Sequence, residues 1–168
     1  MIKKISLLFF ALLFTTVFVQ AQVKKGAAKY NNRIIKMQHK VTPDIVEFFK
    51  DFEKGTAEDL KKQKAKLIPE FDAAIKKIEA MPDFEGDAEL KNAALDWFKL
   101  YKNSFETEYE HIIVLVSNRD RSKEDHAKLD KMTDELVVRE EAVDAQFEKA
   151  QIAFAKRHNL ELVQRPIK

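Results

Sequence analysis

The stretch Tyr30–Phe52, YNNRIIKMQHKVTPDIVEFFKDF, decides the fold that the sequence predicts. The apolar residues that recur in it at steps of three or four are Tyr30, Ile34, Met37, Val41, Ile45, Phe48 and Phe52. Such steps are typical of one face of an α-helix. The stripe keeps its phase through Pro43, so we predict one kinked helix from about Ala27 to Lys54 rather than two helices.

Two further segments show the same helical spacing. The second opens at Thr56 with Asp59 three residues later, a variant of the capping box, and it contains Pro69. The third opens at Asp87, a suitable N-cap, and ends near Ser117. Both segments are long enough to cross a small domain.

The fourth segment begins at Ser122 and ends with Lys156, Arg157 and His158, whose positive charge suits a helix C-terminus. Four long helices with short connections predict an all-α protein, an antiparallel up-and-down four-helix bundle with proline-kinked helices 1 and 2. The bundle is expected over 22–158. Residues 159–168 are expected to be a flexible C-terminal tail.

The N-terminus has the three parts of a secretory signal peptide. Lys3 and Lys4 precede an apolar run, and Val19-Gln20-Ala21 follows as a small-x-small cleavage pattern. We expect residues 1–21 to be removed near Ala21 and the mature protein to be periplasmic, secreted or at the cell surface. The alternative is an uncleaved N-terminal anchor; after cleavage no membrane span is expected.

Composition excludes several classes of function. The chain has 30 Lys+Arg and 28 Asp+Glu, and its excess of two lies in the first 21 residues, so no nucleic acid is expected as a partner. Zero cysteines exclude thiolate metal sites, and three glycines are too few for a phosphate-cradling loop. No cofactor is expected, and because no complete catalytic constellation is present, neither is an enzyme.

The motif closest to a metal site is Glu108-x-x-His111. Dimetal bundles need two such motifs, and this chain has one, so a satisfied polar pair is the favoured interpretation. Counted from the predicted loops, this pair shares a layer with Pro43 and Pro69, for which a hydrated waist or small pocket is one hypothesis. The favoured alternative is that each proline simply bends its helix around the core and leaves the freed carbonyl facing solvent. The same count places Glu140 about 12 Å along the bundle axis from Glu108.

A run of cations without acids opens the mature chain: Lys24, Lys25, Lys29, Arg33, Lys36 and Lys40. In an up-and-down bundle it meets the basic C-terminal residues, so this basic end is a candidate surface for an anionic envelope component or a partner protein. A solvated end without a partner is the alternative. Apolar residues beside the stripes leave a homodimer open; they are Ile35, Val46, Phe49 and Phe98.

Three stretches carry a resemblance to a known group: Tyr30–Ile35, Ala80–Asp87 and Trp97–Tyr101. They resemble a family of small exported bacterial proteins known only as uncharacterised surface proteins. The resemblance implies a helical, envelope-located protein and supplies no catalytic residues.

These observations predict an exported, non-enzymatic helical bundle that acts by binding a partner protein or an anionic envelope component. The alternative is a small-ligand or metal-binding bundle that uses the polar layer around Glu108 and His111.

Overall fold

The computed structural model describes residues 14–18, 25–52, 55–118 and 120–164. The described elements are β1 (Phe14–Phe18), α1 (Lys25–Asp51), α2 (Ala57–Glu79), α3 (Glu89–Glu106), α4 (Glu108–Ser117), α5 (Lys123–Arg157) and β2 (Glu161–Gln164). The predicted all-α class is confirmed, with one short strand pair beside the helices. Most of the predicted signal segment, its cleavage site and Lys24 lie outside the described residues.

Local capping explains where the helices begin. The Thr56 side chain accepts a hydrogen bond from the Asp59 N–H at 3.1 Å, and the Thr56 N–H donates back to the Asp59 carboxylate at 3.2 Å. Ser122 forms the same box at the start of α5. Both predicted caps are therefore confirmed. At α3 the cap is Ala88, one residue later than predicted, although Asp87 still accepts a bond from the first-turn N–H of Glu89 at 3.0 Å.

The third predicted helix is divided at Thr107 into α3 and α4. The Thr107 hydroxyl donates to the Asn103 carbonyl at 2.7 Å, and the Thr107 backbone has φ −114 and ψ −74, away from helical values. Phe105 and Tyr109, on either side of the break, are both buried. The apolar stripe thus continues across a local interruption of the helical hydrogen bonds.

Ion pairs show how α1 lies against α2. Lys40 pairs with Glu70 at 3.2 Å, and Asp44, later in α1, pairs with Lys66, earlier in α2, at 2.8 Å. The two helices therefore run in opposite directions at this point. The helix prolines stand between the paired positions, one in α1 and one in α2, so they lie at neighbouring levels, as the sequence predicts.

The core is rich in aromatic side chains. The Phe48 ring lies 4.9 Å from the Phe105 ring and 5.3 Å from the Tyr109 ring, measured between centroids, which joins α1 to α3 and α4. Ile35 and Phe98, which the sequence suggested for a homodimer face, are inside this core, with 3% and 1% of their surface exposed. Neighbouring helices of the same chain therefore cover the wide apolar face at these two residues.

The start of α1 and the end of α5 both contact the turn between α2 and α3. Glu85 and Gly86 adopt positive φ values of 52 and 83, which makes the turn tight. The turn presents the Phe84 ring, whose centroid lies 5.4 Å from that of Tyr30 near the start of α1 and 5.6 Å from that of Phe154 near the end of α5. This contact fixes both termini of the helical part at one place.

The C-terminal segment differs from the flexible tail that the sequence predicts. Leu160 is 9% exposed, and β2 pairs antiparallel with β1, with Val17 opposite Leu162. The apolar Leu160, which directly precedes the strand, packs on the core. Neither strand has the period-two pattern that would have predicted it.

Replacing Phe48 by alanine should lower the free energy of unfolding by about 3–5 kcal/mol, because the ring is fully buried among four aromatic neighbours. Urea unfolding followed by circular dichroism measures the change. Val114→Ala is the control, because Val114 is 57% exposed and should lose less than about 0.5 kcal/mol. Equal losses in the two variants would contradict the packing described here.

Candidate functional site

The predicted cations of α1 form one exposed stripe. Lys29, Arg33, Lys36 and Lys40 are all exposed, at helical steps of four, three and four. From Gly26 to Lys40, the exposed residues are Gly26 and these four cations. Apart from Gly26, the solvent face of this half of α1 therefore consists of cations. The stripe is about 16 Å long at 1.5 Å per residue. Lys24 and the side chain of Lys25 lie outside the described part of the chain.

Three of these cations have no ion pair with another described residue. Lys40 pairs with Glu70, whereas no ion pair within the described ranges involves Lys29, Arg33 or Lys36. We call Lys29, Arg33, Lys36 and Lys40 the α1 basic stripe.

The basic end that the sequence predicts is partly neutralised. Arg157, at the end of α5, pairs with Asp87 at 2.7 Å and with Glu89 at 2.8 Å. Asp87 comes from the α2–α3 turn and Glu89 is the first residue of α3, and both lie at the same end of the helices as Arg157. Among the described residues, the cations that lie in one line are therefore on the side of α1.

Glu108 and His111 do not form a joint site. Glu108 pairs with Arg139 of α5. Although burial raises the pKa of Glu108, hydrogen bonds from Thr107 and Arg139 hold it below its usual value. His111 is exposed, and its Nδ1 lies 2.9 Å from the Thr107 carbonyl oxygen of its own helix. Among the described residues, no group of three His, Cys, Asp or Glu side chains could share a metal ion.

A different cluster of polar side chains lies between α3, α4 and α5. The Trp97 indole N–H donates to Asp144 of α5 at 2.6 Å, and the Tyr101 hydroxyl lies 3.3 Å from both oxygens of the same carboxylate. One turn earlier in α5, Glu140 accepts a hydrogen bond from the Tyr109 hydroxyl at 3.0 Å and is 4% exposed. We call these five side chains the carboxylate cluster.

The cluster continues toward α1. Gln151 of α5 donates to Asn31 of α1 at 3.1 Å, and both are buried. The buried Gln38 lies seven residues after Asn31 in α1, and Asp144 lies seven residues before Gln151 in α5. Gln38 and Asp144 therefore lie at about the same height along the helices. The polar side chains that the structure brings together between the helices therefore include Glu140 and Asp144, whereas Glu108 pairs with Arg139.

Burial changes the proton affinities of this cluster. Burial, opposed by the hydrogen bond from Tyr109 and helped by the nearby Asp144, raises the pKa of Glu140 to about 8. Burial also raises the pKa of Asp144 to about 6, against the hydrogen bonds from Trp97 and Tyr101. At neutral pH Glu140 therefore keeps its proton while Asp144 is ionised.

The position of Glu140 corrects the loop-counting prediction. Glu108 lies nine residues before the end of α4, whereas its partner Arg139 lies sixteen residues after the start of α5. The first turns of α5 have no buried residue before Leu129, so the α4–α5 loop does not mark equal levels in the two helices. The distance of 12 Å predicted between Glu108 and Glu140 was wrong for this reason.

The sequence contained a signal for the cluster that the prediction did not use. Trp97 and Tyr101 lie four residues apart in the third predicted helix, and a buried indole N–H or phenol O–H needs a hydrogen-bond partner. Acids on the inward side of the last helix are the natural partners. Glu140 and Asp144 lie four residues apart in that helix and match this spacing.

A surface depression adjoins Arg139, the residue before Glu140. This open depression of about 760 Å³ is lined by Glu108, Met132, Asp134, Glu135, Val138 and Arg139, and it does not include Glu140. None of the described helices combines the length and apolarity that crossing a membrane requires.

No family model, curated protein or solved structure matches this chain.

Glu140→Gln should flatten the pH dependence of stability. Glu140 has a folded pKa of about 8, above its usual 4.5, so the wild type loses stability as pH rises between these values. The variant has no carboxyl group to ionise at this position. From pH 5 to pH 9 its free energy of unfolding should therefore fall by roughly 2–4 kcal/mol less than that of the wild type. Urea unfolding across this range measures the difference.

The exposed Glu47 provides the matched control, and Glu47→Gln should keep the wild-type pH profile. A wild type whose stability is constant from pH 5 to pH 9 would show that Glu140 is solvated, contrary to its 4% exposure.

Proposed function

We propose that this protein is an exported, non-enzymatic helical bundle that binds an anionic component of the cell envelope through the α1 basic stripe. The observation that carries the proposal is the exposed face of α1, where Lys29, Arg33 and Lys36 lie in one line without an ion pair to another described residue. A row of unpaired cations interacts with any closely spaced set of negative charges.

The chemistry of the stripe favours an anionic surface or polymer. Among the described side chains of α1, no large apolar one is exposed, so this face offers charge rather than an apolar anchor. Cations near an anionic surface contribute about 1 kcal/mol each, and salt screens the contribution. The expected binding is therefore moderate in strength and sensitive to ionic strength.

The arrangement of the helices that we propose is an up-and-down bundle with bends at Pro43 and Pro69. The antiparallel ion pairs between α1 and α2 support it, as does the Phe84 contact that joins the start of α1 to the end of α5. We further propose that residues 1–21 are the export signal and are removed near Ala21. The basic stripe is then close to the new N-terminus.

Neutralising Lys29, Arg33 and Lys36 to glutamine should weaken binding of the mature protein to phosphatidylglycerol vesicles roughly 100-fold, since three contributions of about 1 kcal/mol are lost. Co-sedimentation at low and high salt measures it. Phosphatidylcholine vesicles and soluble dextran sulfate distinguish a lipid surface from a polyanion.

The matched control neutralises three exposed lysines of α2, Lys62, Lys76 and Lys77, which changes net charge equally. The control should bind like the wild type. Equal weakening in both triple variants would show that net charge, not the stripe, drives binding, and salt-independent binding would also contradict the proposal. Wild type that binds neither probe would point to an acidic partner protein.

Removal of residues 1–21 has a consequence for the C-terminus, because β1 (Phe14–Phe18) is the partner of β2. In the mature protein the backbone amides of 161–164 should exchange with solvent at least about tenfold faster than in the full chain. Hydrogen exchange followed by mass spectrometry measures this, with 143–155 of α5 as internal control. Unchanged protection of 161–164 would show that β2 does not depend on the segment.

A further inference from the structure

The outer face of α5 carries a line of five exposed residues, of which four are apolar. Val138 is 63% exposed and Ile152 is 46% exposed, and Ala142, Ala145 and Lys149 lie exposed between them. The five residues follow one another at steps of four, three, four and three, so they lie in one line along the helix. Two of the three large apolar side chains that are most exposed among the described residues belong to this line.

The line is complementary to itself when it is read backward. If a second copy of α5 lies antiparallel with Ala145 on the two-fold axis, Val138 of each copy faces Ile152 of the other. Ala145 then faces Ala145, and Ala142 lies close by. Small residues at the centre allow two helices to approach closely, while the larger apolar residues pack on both sides of the axis.

The charges along the same face match in the same register. Glu141 of one copy faces Lys149 of the other, and Asp134 faces Lys156. All four residues are exposed, and none has an ion pair with another residue in the described ranges. Because the pairing is two-fold, each contact occurs twice, giving four ion pairs around an apolar line.

Other registers lose this match. Shifting the second copy by one helical turn places Val138 opposite Glu148 in one direction and opposite Lys156 in the other. In both shifted registers Glu141 and Lys149 face alanine or valine residues rather than each other. The antiparallel register centred on Ala145 is therefore favoured by both apolar contact and charge.

We propose that the outer face of α5 is a self-association surface at which two copies of this chain pair antiparallel about Ala145. The paired stretch from Asp134 to Lys156 is about 33 Å long. A single helix pair of this length lies at the lower end of specific interfaces, so the dimer is reversible and depends on concentration.

The charge pairs allow a direct test by sedimentation velocity of the mature protein at low ionic strength, from micromolar to millimolar concentration. Glu141→Lys and Lys149→Glu should each weaken the dimer by about tenfold or more, because each places like charges opposite one another twice. A one-to-one mixture of the two variants should recover the dimer. In the mixed pair, the lysine introduced at 141 faces the glutamate introduced at 149, and the native pair faces across the other site.

Lys62→Glu on α2 is the matched control, because Lys62 is exposed and lies away from α5, and it should dimerise like the wild type. A wild type that stays monomeric over the whole range overturns the proposal. So do single variants that dimerise as well as the wild type, and so does a mixture that remains monomeric.

A second measurement fixes the register without relying on charge. The chain has no cysteine, so Ala145→Cys introduces a single thiol at the proposed axis, where two Cα atoms lie close enough for a disulfide. Under a mild oxidant this variant should cross-link at least about tenfold faster than Ala73→Cys, whose position on α2 is equally exposed. Equal rates would contradict pairing about Ala145.

Discussion

The hydrogen bonds from Trp97 and Tyr109 to two carboxyl groups of α5 are the constraint on which the rest of the structure depends. A buried indole N–H or phenol O–H without an acceptor costs about 1–3 kcal/mol. Asp144 lies 2.6 Å from the Trp97 nitrogen and Glu140 lies 3.0 Å from the Tyr109 oxygen, and these two bonds place α5 against α3 and α4. Sliding α5 by one helical turn would exchange the acids that face these donors and would break the contact of Arg139 with Glu108. This level in turn brings Arg139 to Glu108 and decides which face of α5 meets solvent.

The cost of this arrangement is an acid held without charge in the core. Glu140 keeps its proton at neutral pH, whereas Asp144, one turn away and more open to solvent, does not. Unequal carboxyl groups can serve acid–base chemistry, but here both act as acceptors for aromatic donors and the nearby surface depression does not include Glu140. The arrangement makes the stability of the fold sensitive to pH. Polar groups of this kind specify one helix register better than a uniformly apolar core does.

The sequence was sufficient to predict the helical segments, but it was insufficient to predict how the helices align with one another along their axes. Apolar spacing and the boxes at Thr56 and Ser122 predicted the helical segments because these signals are local. The break at Thr107 was missed because neither glycine nor proline marks it. The level of α5 was missed because it depends on contacts between distant residues, such as Tyr109 with Glu140, that loop counting cannot see. The α1 stripe could be read directly, since exposed cations follow from the same periodicity as the core.

The proposed binding surface and the proposed self-association surface lie on different helices, α1 and α5. They therefore impose separate requirements on the sequence: charge alone on α1, and an ordered alternation of charge and small apolar residues on α5. A dimer would carry two basic stripes, which raises apparent affinity for an extended anionic surface when both can engage it together.

The most direct test of this account is a carbon-13 NMR titration of the Glu140 side-chain carboxyl in the folded protein. The account predicts a midpoint near pH 8 because the group is 4% exposed and lies beside the Tyr109 hydroxyl inside the core. A midpoint near 4.5, the usual value for a glutamate in water, would mean that Glu140 is solvated and that α5 does not lie at the described level.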